Sequence, residues 1–285
     1  MSPDAQPLSE DEIKTLAARY EFTPRLRSAR GTLGSREGRE TGASVEIQDF
    51  RDYVPGDDPR HIDWMAYGRT DRLMIRLYRE EVSPFVDLLV DGSGSMMLED
   101  GRKAALCREL CTYLYYSARG QGSAVRLFGA GGQLRRAEYP EELDWQAERS
   151  VLFTSPREAA AGLRRSAVRI VFSDFMDPAD PAGVLRTLSE GCAHLLVLHL
   201  LGPWEAAPDA GGPSVLEQRE TGRRIDVQLD SRRVAAYRRR LDALVTTIRE
   251  ETIRCHGLYL QLIADRPLET ILRDEFLPLD LVTAH

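Results

Sequence analysis

An apolar run from Phe85 to Val90 ends on Asp91, and hydroxyls follow at Ser93 and Ser95 with glycines between them. Alternate residues of an extended turn can aim their oxygens at one point. One carboxylate with two neutral hydroxyls is then a donor set for a hard divalent cation, Mg2+ or Mn2+, which takes small oxygen ligands and keeps waters. Three other readings compete. A phosphate cradle wants a Gly-rich loop that ends in Lys followed by Ser or Thr, and no lysine follows this turn until Lys103. A nucleophile elbow wants Gly-x-Ser-x-Gly, whereas the run here is Gly92-Ser93-Gly94-Ser95-Met96, with no histidine placed as base. In the third, Asp91 and Ser93 satisfy backbone amides of the turn and cap the next helix without any metal.

A cation needs more ligands than one turn offers. Asp174, in "VFSDFMD", closes a strand pattern over 167–175 at the same edge as Asp91, and Thr154 in "LFTSPRE", or failing that Ser155, stands just before a helix. The candidate metal ligands are therefore Asp91, Ser93, Ser95, Thr154 and Asp174. With few carboxylates the ion keeps positive charge and an open position, which attracts a carboxylate from outside. A second cluster, Asp57, Asp58, His61 and Asp63 in "GDDPRHIDW", has metal-type ligands but no HExxH-like spacing. It reads as a Pro/Gly turn whose carboxylates bind backbone amides and Arg51 and Arg60, with Trp64 packed beneath.

The elements that must position these residues alternate regularly. Ser9 with the acids after it marks the start of a helix near 10–20, 31–42 reads as loop, and 72–82 as a strand. From Phe85 the pattern becomes apolar strand, turn and amphipathic helix, repeated. Strands are expected at 85–91, 124–130, 167–175, 193–201, 223–230 and 257–266, with a hairpin arm at 133–139. Helices are expected at 101–118, 155–166, 178–191 and 231–254, and a loop at 202–213. Short, nearly continuous apolar strands alternating with helices imply α/β architecture: a doubly wound, mainly parallel sheet covered on both faces. The expected organisation is an N-terminal helix and β-rich hairpin region over 1–83, then the α/β domain over 84–285. Ligands of such sheets gather at the carboxyl ends of strands, where Asp91 and Asp174 fall.

Bulk properties restrict the function. The net charge of −7 disfavours nucleic acid as the main ligand. No apolar stretch approaches the ~20 residues of a membrane span, and the start lacks the build of a secretion signal, so the expected location is cytoplasmic. Cys107, Cys111, Cys192 and Cys255 form no CxxC and read as buried, reduced thiols. His194 and His199 read as core histidines. All but two of the 38 basic residues are arginines, and the arginine-rich stretch from Arg19 to Arg39 reads as a solvated segment.

The order Asp91-x-Ser93-x-Ser95, a threonine from a second loop and Asp174 from a third resembles the metal-ion-dependent adhesion site of the von Willebrand factor A fold. The stretch "FRDYVPGDDPRHIDWMAYGRTDRLMIRLYREEVSPFVDLLVDGSGSM" is similar to the bacterial family called domain of unknown function 58, whose members carry Y-x-P-G-D-D-x-R-x-I-D-W shortly before the Asp-Ser motif. This resemblance implies a von Willebrand factor A-like, Rossmann-like domain behind β-hairpin additions, and an association with MoxR-type AAA+ ATPases. It also implies a cation-dependent interaction or adaptor role. Many relatives carry membrane helices before this region, and their absence here implies a soluble version. The expected function is a non-enzymatic, Mg2+-dependent protein-binding module whose partner supplies an Asp or Glu to the ion. One alternative is a metal-dependent phosphoester hydrolase, which lacks a DxD or a positioned base. Another is a metal-free scaffold whose N-terminal arginines bind an acidic partner.

Overall fold

The computed structural model describes residues 7–23, 46–54, 62–79, 85–98, 101–143, 149–209, 211–218 and 223–285. Arg25 to Arg39, the 31–42 loop, Asp57, Asp58 and His61 lie outside them. The chain divides into two compact units, residues 29–83 and residues 1–28 together with 84–285. The helix that the sequence assigns to a 1–83 region, α1 (Glu10–Arg19), thus belongs with the α/β unit, as does the short strand β1 (Tyr20–Phe22). Ser9 and Glu12 cap α1 reciprocally, as their spacing predicts.

The 29–83 unit contains an antiparallel pair, β2 (Glu46–Asp52) and β3 (Met74–Arg79), with an irregularity between Ile47 and Asp49. Helix α2 (Trp64–Thr70) lies between them in sequence. Asp63 caps it: the carboxylate accepts from Met65 N at 3.0 Å and Ala66 N at 3.1 Å. Trp64 departs from expectation, being 61% exposed with its ring edge-on to Tyr67. A first-turn helical residue points out unless a neighbouring element covers it.

The α/β unit continues through β4 (Phe85–Asp91), α3 (Arg102–Gly120), β5 (Ala124–Ala130) and β6 (Leu134–Ala137). Next come α4 (Val151–Thr154), α5 (Pro156–Ala161), β7 (Val168–Ser173) and α6 (Pro181–Ser189). After these are β8 (His194–Leu201), α7 (Pro203–Ala206), β9 (Gly212–Gln218) and β10 (Arg223–Leu229). The unit closes with α8 (Ser231–Arg254), β11 (Leu258–Ile263), α9 (Leu268–Ile271) and β12 (Val282–Ala284). Six strands form the central sheet in the order β11-β8-β7-β4-β5-β6, parallel except for the edge strand β6. The chain winds one way from β4 to β5 and the other way from β4 to β7, so the strand order reverses between β4 and β7.

Both faces of the sheet are covered, which explains the unbroken apolar runs. On one face Val86, Leu88 and Val90 of β4 pack with Leu106, Leu110 and Leu114 of α3 and Leu268 and Ile271 of α9. On the other, Leu89 packs with Leu185 and Leu188 of α6 and Ile248 of α8. Cys107 and Cys111 are fully buried in the first cluster, while Cys192 and Cys255 are only half-buried, and all four are free thiols. Helix α3 is buried almost all round because α1 and β1 cover its outer side: Tyr113 Oη donates to the Tyr20 carbonyl and Phe22 N donates to Ser117 Oγ, both at 2.7 Å.

Three expectations change. The helix expected at 155–166 is shorter, Pro156–Ala161, and a separate turn precedes it over Val151–Thr154, capped by Ser150, whose Oγ accepts from Leu152 N. The strand at 223–229 pairs with β9, which the sequence reads partly as loop, in a separate hairpin rather than in the central sheet. A terminal strand, β12, pairs antiparallel with β1. No helix among the described residues is long and apolar enough to cross a membrane.

Candidate metal centre

Because β4 and β7 are neighbours with Leu89 opposite Val171 and Val90 opposite Phe172, Asp91 and Asp174 leave the sheet at the same edge. This is the sheet end at the reversal of strand order, where α/β sheets bind ligands. Gly92 N donates to the Ala130 carbonyl and turns the chain back. Ser93 then opens a 3-10 turn over Gly94–Met97, which holds Ser95. The Ser93 and Ser95 hydroxyls are 3.0 Å apart, and Ser95 Oγ donates to Asp174 Oδ1 at 3.1 Å. Four of the five candidate ligands are therefore gathered in one cluster, each no more than 5% exposed.

Thr154 is not among them. It ends α4, is exposed, and its hydroxyl donates to the Ser150 carbonyl at 3.2 Å. Among the described residues no hydrogen bond joins Thr154 or Ser155 to the cluster. The added helical turn capped by Ser150 gives the threonine hydroxyl a partner inside its own helix.

Three residues at the cluster, Ser173, Lys103 and Glu205, escape the sequence reading, and His199, read as a core histidine, is one and adjoins them. Ser173 Oγ donates to Asp91 Oδ2 at 2.5 Å and accepts from Phe175 N. Lys103 Nζ donates to Asp174 Oδ2 at 2.6 Å and to Glu205 Oε1 at 2.7 Å. His199, opposite Ser173 on β8, donates from Nε2 to the Asp174 carbonyl at 3.0 Å, so its Nδ1 accepts from Tyr259 Oη at 2.7 Å. Burial pushes His199 down to about 4, which keeps it neutral. Ser173 and His199 carried a signal, since each sits at the carboxyl end of an apolar strand. Lys103 and Glu205 carried none, because their pairing joins the start of α3 to the turn after β8.

The loop that presents Asp174 is strained. Phe175 has φ 51, a left-handed conformation unfavourable for a bulky side chain. It is held by its edge-on contacts with Phe153 and His199, by its own amide bond to Ser173 Oγ, and by the His199 bond to the preceding carbonyl. Asp174 Oδ1 also accepts from Met176 N, which closes the turn.

Charged groups of both signs are buried at the cluster. Asp91, Asp174 and Glu205 are buried carboxylates, and Lys103 is the buried ammonium among them. Burial pulls Lys103 down, but Asp174 and Glu205 outweigh it and hold the ammonium above its ordinary value. Burial, followed by repulsion from Asp174, pushes Asp91 up to about 6. Burial also raises Glu205.

These residues fit a small divalent cation. Asp91 and Asp174 bring two buried carboxylates to such an ion. Neighbouring ligands of an octahedral ion bound at ~2.1 Å stand about 3 Å apart, which is the spacing of the Ser93, Ser95 and Asp174 oxygens. The described residues contain no group of three or more His, Cys, Asp or Glu suited to a metal. The donor set is accordingly rich in hydroxyls rather than in carboxylate, imidazole or thiolate.

Fold and cluster together define an α/β protein with a buried cluster of hydroxyls and carboxylates at its strand reversal. Residues 49–251 match the family described as protein of unknown function DUF58, and the chain belongs to that family. Among solved structures it is similar to the conserved hypothetical protein BatB from Bacteroides thetaiotaomicron, at 15% identity and a TM-score of 0.40, covering 69% of this chain and 98% of that one. It is also similar to an aerotolerance-related membrane protein from Bacteroides fragilis NCTC 9343 with multiple mutations to serines. That match has 16% identity and a TM-score of 0.33, and covers 63% of this chain and 91% of that one. No curated protein matches.

Proposed function

We propose that this chain is a divalent-cation-dependent protein-interaction module of the von Willebrand factor A type, not an enzyme, and that it works with a MoxR-type AAA+ ATPase. Asp91, Ser93, Ser95 and Asp174 would hold Mg2+ or Mn2+ as a metal-ion-dependent adhesion site. The observation that carries this reading is the buried row of Ser93, Ser95 and Asp174 oxygens at ligand spacing beside the buried Asp91 carboxylate. The bound ion supplies one electropositive position at the cluster, able to accept a carboxylate from a partner protein. Thr154, tied to Ser150, stands outside this row of oxygens. His199 has both ring nitrogens engaged, which favours binding over proton-transfer chemistry and weighs against a hydrolase.

Titration calorimetry with Mg2+ and Mn2+ on the wild type and on Asp91→Ala tests the cation. Saturable heat in the wild type, lost in the variant, is expected, and negligible heat in both overturns the reading. Capture of a purified MoxR-type ATPase with and without EDTA tests the partner. Binding that is indifferent to EDTA and to Asp91→Ala overturns a cation-mediated contact.

A further inference from the structure

Building on that cation reading, we infer that Lys103 sets which divalent ion the cluster accepts: it reserves one oxygen of Asp174 and so favours six-coordinate Mg2+ or Mn2+ over Ca2+. The two oxygens of Asp174 face different partners. Oδ1 meets Ser95 Oγ and Met176 N, while Oδ2 is held at 2.6 Å by the Lys103 ammonium. A cation that shares the Ser93 and Ser95 hydroxyls meets the Oδ1 side alone. Ca2+ takes six to eight oxygens and readily uses a carboxylate through both, whereas Mg2+ takes six and keeps waters. Withholding Oδ2 therefore removes more from Ca2+ than from Mg2+.

Several features keep Lys103 in this position. It is one of two lysines in the chain and is fully buried. It is the second residue of α3, at the helix end where the dipole disfavours a cation, so the carboxylates rather than the helix hold it there. Glu205 restrains the ammonium from its other side and is itself fixed, because its Oε2 accepts from Gly202 N at 2.8 Å. Lys103 cannot turn away from Asp174 without giving up its contacts with two buried carboxylates.

The test is calorimetry with Mg2+, Mn2+ and Ca2+ on the wild type, Lys103→Met and the double variant Lys103→Met/Glu205→Met, each checked for folding by its thermal melt. The double variant removes both charges of the Lys103–Glu205 pair together, which guards against unfolding. The wild type is expected to bind Mg2+ at least tenfold tighter than Ca2+. In the double variant Ca2+ affinity should rise at least tenfold more than Mg2+ affinity. Because the double variant removes one charge of each sign, a role in charge alone would leave the ratio of the two affinities as it is, so an unchanged ratio overturns the inference, as does a wild type that binds Ca2+ as well as Mg2+. A wild type that binds no divalent ion overturns the cation reading itself.

Discussion

Replacing Asp91 by Asn should stabilise the protein when no cation is present. The substitution keeps the shape and the local bonds: the Asn carbonyl can accept from Ser93 N, and its amide can donate to Ser173 Oγ once that hydroxyl rotates. What it removes is the charge. Raising Asp91 from 3.8 to about 6 corresponds to about 3 kcal/mol of strain in the ionised native state. Because the folded value lies above the unfolded one, the native state holds the extra proton between about pH 4 and 6, and wild-type stability falls as pH rises through that window. The variant has no such slope. In EDTA at pH 8 it should be more stable than wild type by about 3 kcal/mol, or roughly 6 °C in melting temperature for a chain of this size. The gap should shrink to below ~1 kcal/mol at pH 4. Urea denaturation of both proteins across pH 4 to 8 measures it, and saturating Mg2+ at pH 8 should narrow it by stabilising the wild type. A variant no more stable than wild type at pH 8, or a gap that keeps its size down to pH 4, would refute the claim that burial, and then Asp174, penalises the Asp91 charge.

Two further substitutions probe the scaffold. Arg126 holds the fully buried Asp87 with paired bonds of 2.8 and 2.7 Å, so Arg126→Met should cost about 3 kcal/mol in chemical denaturation. Most of that loss should return in Arg126→Met/Asp87→Asn, and a double variant as unstable as the single one would exclude a stranded charge as the cause. At Gly257 a Cβ would come within 2.8 Å of the Leu195 carbonyl and 2.9 Å of Thr252 Cγ2, so Gly257→Ala should cost roughly 1–3 kcal/mol by forcing α8 and β8 apart. A melting temperature equal to that of wild type would show that the backbone yields at no cost.

The sheet was legible because its strands are buried on both faces, and only long apolar runs satisfy that: β4, β7 and β8 stand close to where the hydropathy pattern puts them. The long helix α8 was equally plain, from Asp230, whose carboxylate accepts from Arg233 N, to Arg254. Asp91, Ser93, Ser95 and Asp174 could be brought together on paper because strand order and strand ends are readable from sequence. Lys103 could not, because its value as a partner depends on which loop lies over the start of α3, and that is settled by packing. Thr154 misled for the opposite reason: its position beside a helix start is local information, and a single extra capped turn gave its hydroxyl a closer acceptor. The β1–β12 pair has three residues on each side, too short to stand out from any loop.

That small pair has a consequence in time. Tyr20 lies opposite Ala284 and Phe22 opposite Val282, while Thr23 N donates to the Leu281 carbonyl and His285 N to the Arg19 carbonyl. At ribosomal speeds of about 5–20 residues per second, the strand at 20–22 waits roughly ten to fifty seconds for 282–284 to be made. Throughout that interval the nascent chain presents an unpaired strand edge, open to the wrong neighbour. Slow synthesis of the last third of the chain should therefore lower the yield of folded protein more than an equal delay near its start.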